Sequence, residues 1–320
     1  MNRYINLERL EFVITNACSG RCKHCSWGEC TDSGNGINAD AAVTAIKRLA
    51  ERCKIKSVMT FGGEPLLYAD TVCKIHAAAR DCGILDRSII TNGFFSKDER
   101  KIDEVAKALC DSGVDGVWLS VDAFHQETIP VAPVVQFAEA LLRHGIPSLQ
   151  MHPAWVVNEA SDNPYNTETR CLLKIFADKG IRITNGNNIF PSGNALKYLA
   201  EYYPPPGKVD LTVPCGHESH TSRPDNVDRI GINQDGEVRT CAVIGNIYHD
   251  DIIDIIDRYD PYKSPTLRAV LDGGVVGLMR YAEVEGVEVD LSDCHSACKV
   301  CSKVRAAFNS LKSGREIIDD

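Results

Sequence analysis

Cys18, Cys22 and Cys25 follow one another at C-x3-C-x2-C spacing, directly after an apolar run at 10–14. Thiolates so spaced can grip three irons of a four-iron cube and leave the fourth without a protein ligand. Closed metal sites hold folds together, whereas an open position binds a substrate. The same cysteines also suit a structural zinc knuckle, in which Cys30 supplies a fourth thiolate. Of fourteen cysteines, eight (these three with Cys215, Cys241, Cys294, Cys298 and Cys301) lie at short spacings or beside an expected hairpin. In a chain of this size with no export leader, that usage reads as metal binding in a reducing cytoplasm rather than as disulfides. Cys30, Cys53, Cys73, Cys82, Cys110 and Cys171 are scattered, and those on expected helices act as small hydrophobes.

The elements that must position these thiols show a repeated cadence from residue 38 to about 185, in which a helical stretch ends at a glycine and a short β-branched run follows. Gly83 precedes 87–91, Gly113 precedes 116–121, Gly145 precedes 147–152 and Gly180 precedes 181–184. Glycine just past a helix takes the left-handed position that stops it. With runs at 10–15 and 57–61, the pattern amounts to six β-α units, which predicts a parallel sheet covered by helices. Periodicity alone suits an open partial barrel or a doubly wound sheet.

The composition breaks at Tyr203-Pro204-Pro205-Pro206-Gly207, and a domain boundary is expected there, giving units 1–205 and 206–320. Beyond it, 228–233 and 237–240 flank Gln234-Asp235-Gly236 as a hairpin. A formal charge of −9 argues against a nucleic-acid partner. The absence of an 18-residue apolar run argues against a membrane span.

Further motifs fall at strand ends: Gly62-Gly63-Glu64-Pro65 after the second, Asn92-Gly93 after the third, Ser120-Val121-Asp122 after the fourth and Gly193-Asn194 after the sixth. Taken in order over residues 8–200, they resemble the radical S-adenosylmethionine (SAM) superfamily. The resemblance implies an α/β fold, a partial (β/α)6 barrel, and a [4Fe-4S] cluster on Cys18, Cys22 and Cys25 whose open iron takes the methionyl group of SAM. It implies SAM contacts from His24 near the adenine, the Gly62 and Gly63 backbone, Glu64 near the ammonium, and Asn92, Ser120, Asp122 and Gly193.

Cys215, Cys241, Cys298 and Cys301 resemble the ligands of SPASM/twitch auxiliary domains, which implies a second [4Fe-4S] cluster in a small α+β unit. Zinc, assisted by His217, His220 or His295, suits the same set. Cys294 is open to three readings: a replacement ligand, an inert thiol, or a thiol that donates a hydrogen atom to a substrate radical. His125, in Asp122-x-x-His125, is a substrate contact, a proton shuttle or a structural histidine.

The layout is most similar to peptidyl epimerases that mature ribosomally made peptides, although these carry two adjacent cysteines where Cys241 is followed by Ala242. The expected function is therefore hydrogen abstraction from a peptide Cα, with an external one-electron reductant such as flavodoxin or ferredoxin. About nine residues precede the first expected strand, leaving no room for a fused leader-binding domain. A small-molecule dehydrogenase of twitch type is the alternative, and a non-catalytic iron–sulfur carrier is a third reading.

Overall fold

The computed structural model describes residues 2–30, 34–203, 209–217 and 221–315, with side chains to residue 310. The proline run at 204–206 and His220 lie outside the described residues. Strands β1 (Ile5–Val13), β2 (Ser57–Phe61), β3 (Asp86–Thr91), β4 (Gly116–Leu119), β5 (Ser148–Met151), β6 (Ala154–Trp155), β7 (Arg182–Ile183), β8 (Asn187–Asn188), β9 (Val227–Ile232), β10 (Glu237–Arg239) and β11 (Val243–Asn246) succeed one another along the chain. Nine of them form one sheet in the order β11-β10-β9-β1-β2-β3-β4-β5-β7. From β1 to β7 every pairing is parallel, so the six expected β-α units are present. Among the described residues the edges β11 and β7 do not pair, and the sheet stays open.

Helices α1 (Ala39–Ala50), α2 (Ala69–Asp81), α3 (Glu99–Ser112), α4 (Ala123–Gln126), α5 (Val131–Arg143), α6 (Pro164–Ala177), α7 (Asn194–Tyr198), α8 (Ile252–Arg258), α9 (Pro265–Val284) and α10 (Ala297–Arg315) follow the strands. Side-chain oxygens of Asn38 and Asp98 cap α1 and α3, satisfying first-turn N–H groups. The four glycines expected to stop helices have φ from 74 to 85°. Among the described residues no helix is long and apolar enough to cross a membrane.

Cα partners in a parallel ladder point to the same face. On one face Leu10, Phe12, Val58, Ile89, Val117 and Leu119 are fully buried and share one core with Ile46, Leu49, Ile75, Leu109 and Phe137 of the helices. The other face carries Arg9, Glu11, Trp118, Arg229 and Asn233, all partly exposed. A sheet with helices outside and a polar open face inside is a partial barrel.

Two details depart from expectation. The first strand begins at Ile5 rather than residue 10, because a register irregularity between Ile5 and Arg9 shifts the apolar alternation and hides its first half. The hairpin at β9 and β10, expected in the second unit, instead continues the main sheet, with β9 parallel to β1. Its Val227, Ile230, Ile232 and Val238 belong to the large core, together with Ile252 and Ile256 of α8. A second, smaller core gathers Val270, Val275, Leu278, Val300, Val304 and Phe308 from α9 and α10, against Val209, Leu211 and Val213. The α9 segment breaks at Gly274 (φ 65°, ψ −161°), which lets its two halves follow that core.

Candidate metal centre

The loop after β1 brings Cys18, Cys22 and Cys25 to the wall of a cavity of about 370 Å³. His24, the Gly62–Gly63 backbone, Asn92 and Ser120 complete that wall, each at the C-terminal end of a parallel strand or in the cysteine loop. Sites of α/β folds form at that edge because the loops converge there.

The glycine pair lies close to the chain itself. A Cβ on Gly63 would stand 2.0 Å from the Ala17 carbonyl oxygen, and one on Gly62 would stand 2.6 Å from that of Thr15. The approach permits two bonds, Gly63 N–H to Thr15 O (2.7 Å) and Glu64 N–H to Ala17 O (2.8 Å), which fix the start of the cysteine loop. Its far side is held by Gly193 and Asn194, outside the cavity. A Cβ on Gly193 would meet the Cys25 and Ser26 carbonyls at 2.6 Å, and Asn194 donates from N to Cys25 O (2.9 Å) and from Nδ2 to Cys22 O (3.2 Å). Gly193 thus clamps the thiol loop.

Two carboxylates expected to face SAM are turned inward. Glu64 is 0% exposed; its Oε1 accepts from Thr91 Oγ1 (2.7 Å) and Leu66 N (2.9 Å), its Oε2 from Asn92 N (2.8 Å). Burial pushes it up to about 7, against the pull of those three donors. Asp122, also 0% exposed, caps α4 through Phe124 N and His125 N, accepts from Ala154 N (3.0 Å) and pairs with His125 Nδ1 (2.8 Å). Asp122 thus receives four hydrogen bonds from within the protein and Glu64 three, which leaves one acceptor position on Glu64 Oε2.

What reaches the cavity from that strand end is His125, whose Asp-x-x-His spacing is the i,i+3 spacing of a helical pair. Burial pulls its pKa down, but the Asp122 charge and bond outweigh that and hold it above its ordinary value. Cys22 Sγ and ring nitrogens of His24 and His125 lie within 4.8 Å of one another. His24 packs on Phe124 (centroids 5.0 Å) and on the edge of His125 (4.9 Å). Its Nδ1 is buried with no hydrogen-bond partner, and burial lowers the ring to about 4.

The thiols differ in environment. Cys18 Sγ accepts from Gly20 N (3.4 Å) and Asn92 Nδ2 (3.6 Å). Hydrogen bonding from Cys30 draws Cys18 and Cys25 down to about 6, whereas burial holds Cys22 well up. Three thiols in one cavity wall, two of them drawn down in pKa, fit the ligand set of a four-iron cluster, and the Gly62–Gly63 backbone shares that wall.

Cys215, Cys241, Cys298 and Cys301 line a second cavity of about 200 Å³ with an apolar wall. Burial, then the neighbouring thiols Cys241 and Cys301, raises Cys215 to about 11. Arg305 Nη1 donates to Cys241 O (3.0 Å) and approaches Cys241 Sγ (3.7 Å). His217 reaches this cavity; His295 is not among its lining residues. Cys294 lines neither cavity: it is 1% exposed inside the second core, with Asp293 Oδ1 3.7 Å from its sulfur. Between the two cavities lies a third of about 220 Å³ on the open sheet face, lined by Glu11, Arg229, Asn233 and Arg239. Trp27 is common to it and the first cavity, Cys241 to it and the second.

Residues 12–157 match the Radical SAM superfamily. Among curated proteins, a "Probable GTP 3',8-cyclase" of Metallosphaera sedula is 33% identical over 122 residues, 38% of this chain and 36% of that protein. A "GTP 3',8-cyclase" of Rhodopirellula baltica is 25% identical over 274 residues, covering 73% of this chain and 74% of its own length. The chain thus spans little more than a third of the first relatives it matches. Among solved structures, "Native anSMEcpe with bound AdoMet" has the same fold, with a TM-score of 0.51 and 15% identity over 96% of this chain and 98% of that one.

Proposed function

We propose that this chain, whose residues 12–157 match the Radical SAM superfamily, is a radical SAM enzyme that removes a hydrogen atom from a peptide substrate at Cα. The convergence of the Cys18, Cys22 and Cys25 thiols on a cavity walled by glycine backbone carries this reading. A cluster held by those thiols, when bound with SAM, supplies one-electron cleavage to methionine and a 5′-deoxyadenosyl radical, the agent that takes a substrate hydrogen.

The chain's own groups bind and orient. Asn92 steadies Cys18 through its Nδ2 and, with Ser120, offers polar contacts to carboxylate or ribose. Asp122 orients His125, whose raised basicity lets it hold a proton at the cavity wall. The aromatic block of His24, Phe124 and Tyr165 excludes water behind the thiols.

The substrate lies on the open sheet face, where Glu11, Arg229 and Arg239 can pair with the opposite charges of a peptide. Cys215, Cys241, Cys298 and Cys301, which line one cavity, would hold a second four-iron cluster, a group that would supply one-electron chemistry there. Cys294, enclosed in the second core, takes no part as hydrogen donor. The expected units 1–205 and 206–320 then work across one sheet, since β9, β10 and β11 extend it beside β1.

A second reading, a small-molecule substrate, is favoured by the relatives named as GTP 3',8-cyclases, because Arg229 and Arg239 suit a polyphosphate equally well. Anaerobic incubation with SAM and dithionite tests the common premise. 5′-Deoxyadenosine is expected, and its absence leaves an iron–sulfur carrier. Formation accelerated by GTP but by no peptide selects the second reading. Iron analysis should return about eight irons per chain, four for each cluster; about four leaves one.

A further inference from the structure

Cys30 lines the same cavity as Cys18, Cys22 and Cys25. Its Sγ lies 3.9 Å from Cys25 Sγ, and its side chain is half-buried. The segment that carries it is held from the α7 side. Asn194 N–H bonds to Cys25 O, the 25–28 backbone packs so closely on Gly193 that a Cβ there would stand 2.6 Å from Ser26 O and 2.8 Å from Gly28 N, and Lys197 Nζ pairs with Glu29 at 3.0 Å. A thiol presented to the cavity by so many anchors is a fourth sulfur donor beside a three-thiol set.

Resting on the reading of that set as a cluster site, we propose that Cys30 is an exchangeable ligand, occupying the fourth iron until SAM arrives. The chemistry requires no change of oxidation state: the Cys30 sulfur–iron bond gives way to bonds from the methionyl amine and carboxylate, and the released thiolate takes up a proton. An iron without a protein ligand is the one a cluster loses on oxidation, leaving a three-iron form. Cys30 would hold it in place whenever the cofactor is absent.

The test uses the full chain, reconstituted anaerobically with iron and sulfide and treated with ferricyanide without SAM. Electron paramagnetic resonance should show the three-iron form arising several-fold faster in Cys30→Ala and Cys30→Ser than in the unaltered chain. Conversion at equal rates in all three, or in none, overturns the proposal. On the unaltered protein, peptide mapping after iodoacetamide should find Cys30 protected once the cluster is loaded. Alkylation as fast as in the iron-free chain overturns the proposal whatever the variants do. If instead the reconstituted site holds zinc, or Cys18→Ala leaves iron content unchanged, the cluster reading itself fails, an outcome distinct from a cluster that forms without Cys30.

Discussion

Gly63→Ala isolates the contact that sets the first thiol. The added Cβ meets Ala17 O at 2.0 Å, Ala17 C at 2.7 Å and Asn16 C at 3.1 Å, all backbone, so no side chain can swing aside. Relief requires the loop after β1 to retreat, which gives up the Glu64 N–H to Ala17 O bond and loosens Gly63 N–H to Thr15 O. Two backbone hydrogen bonds are worth about 1 kcal/mol each, and overpacking of a close contact adds about 1–3 kcal/mol. The expected loss is therefore about 3–5 kcal/mol, read as a lower urea midpoint of the iron-free protein. Gly83→Ala is the matched control. Gly83 has φ +75° but open space around its Cβ position, so only the left-handed penalty of about 1–2 kcal/mol applies. Because Ala17 precedes Cys18, Gly63→Ala should also lower iron retained after reconstitution, whereas Gly83→Ala should not. A Gly63→Ala midpoint equal to that of Gly83→Ala, with full iron, refutes the steric account.

The Asp122–His125 pair makes stability depend on pH. His125 is raised in the folded chain, so its contribution is present below about pH 6.5 and lost as pH climbs through the folded value; Asp122 is held down, so its share is lost only in acid. Asp122→Asn should cost about 3 kcal/mol near pH 6 and flatten the fall toward alkaline pH; parallel urea curves for both proteins across that range contradict this. Trp155→Ala removes a ring 1% exposed and the 2.7 Å bond from its Nε1 to Asn185 O, with an expected loss of about 3–5 kcal/mol by urea unfolding. Arg305→Leu takes the donor from Cys241 and should reduce iron held by the second thiol set alone, with SAM cleavage preserved. Iron content equal to the unaltered chain's speaks against that role.

Local signals in the sequence were readable where chemistry and geometry share a short span. The cysteine spacing, the Gly62–Gly63 pair and the strand-ending Asn92 and Ser120 all reached the cavity wall. Residue type alone did not say which way a carboxylate turns. Glu64 and Asp122 occupy the expected strand ends, yet neighbouring N–H groups draw both inward, a matter of backbone placement that no motif encodes. Nor does Gly193 announce that its close neighbour is the thiol loop. Strand β11 went unread because Val243-Ile-Gly-Asn246 is four residues with a glycine inside. The joining of the hairpin to β1 rests on Ile5 with Val227 and Arg9 with Arg229, partners more than two hundred residues apart, and such pairing leaves no local trace.

Since β9 runs alongside β1, the strand that delivers the first thiol loop and the hairpin that delivers Cys241 belong to a single hydrogen-bonded lattice. Their spacing is thus a property of the ladder and owes nothing to the length of chain between residues 203 and 209. A longer or shorter connection there should therefore leave the separation of the Cys18 loop and the Cys241 hairpin unchanged.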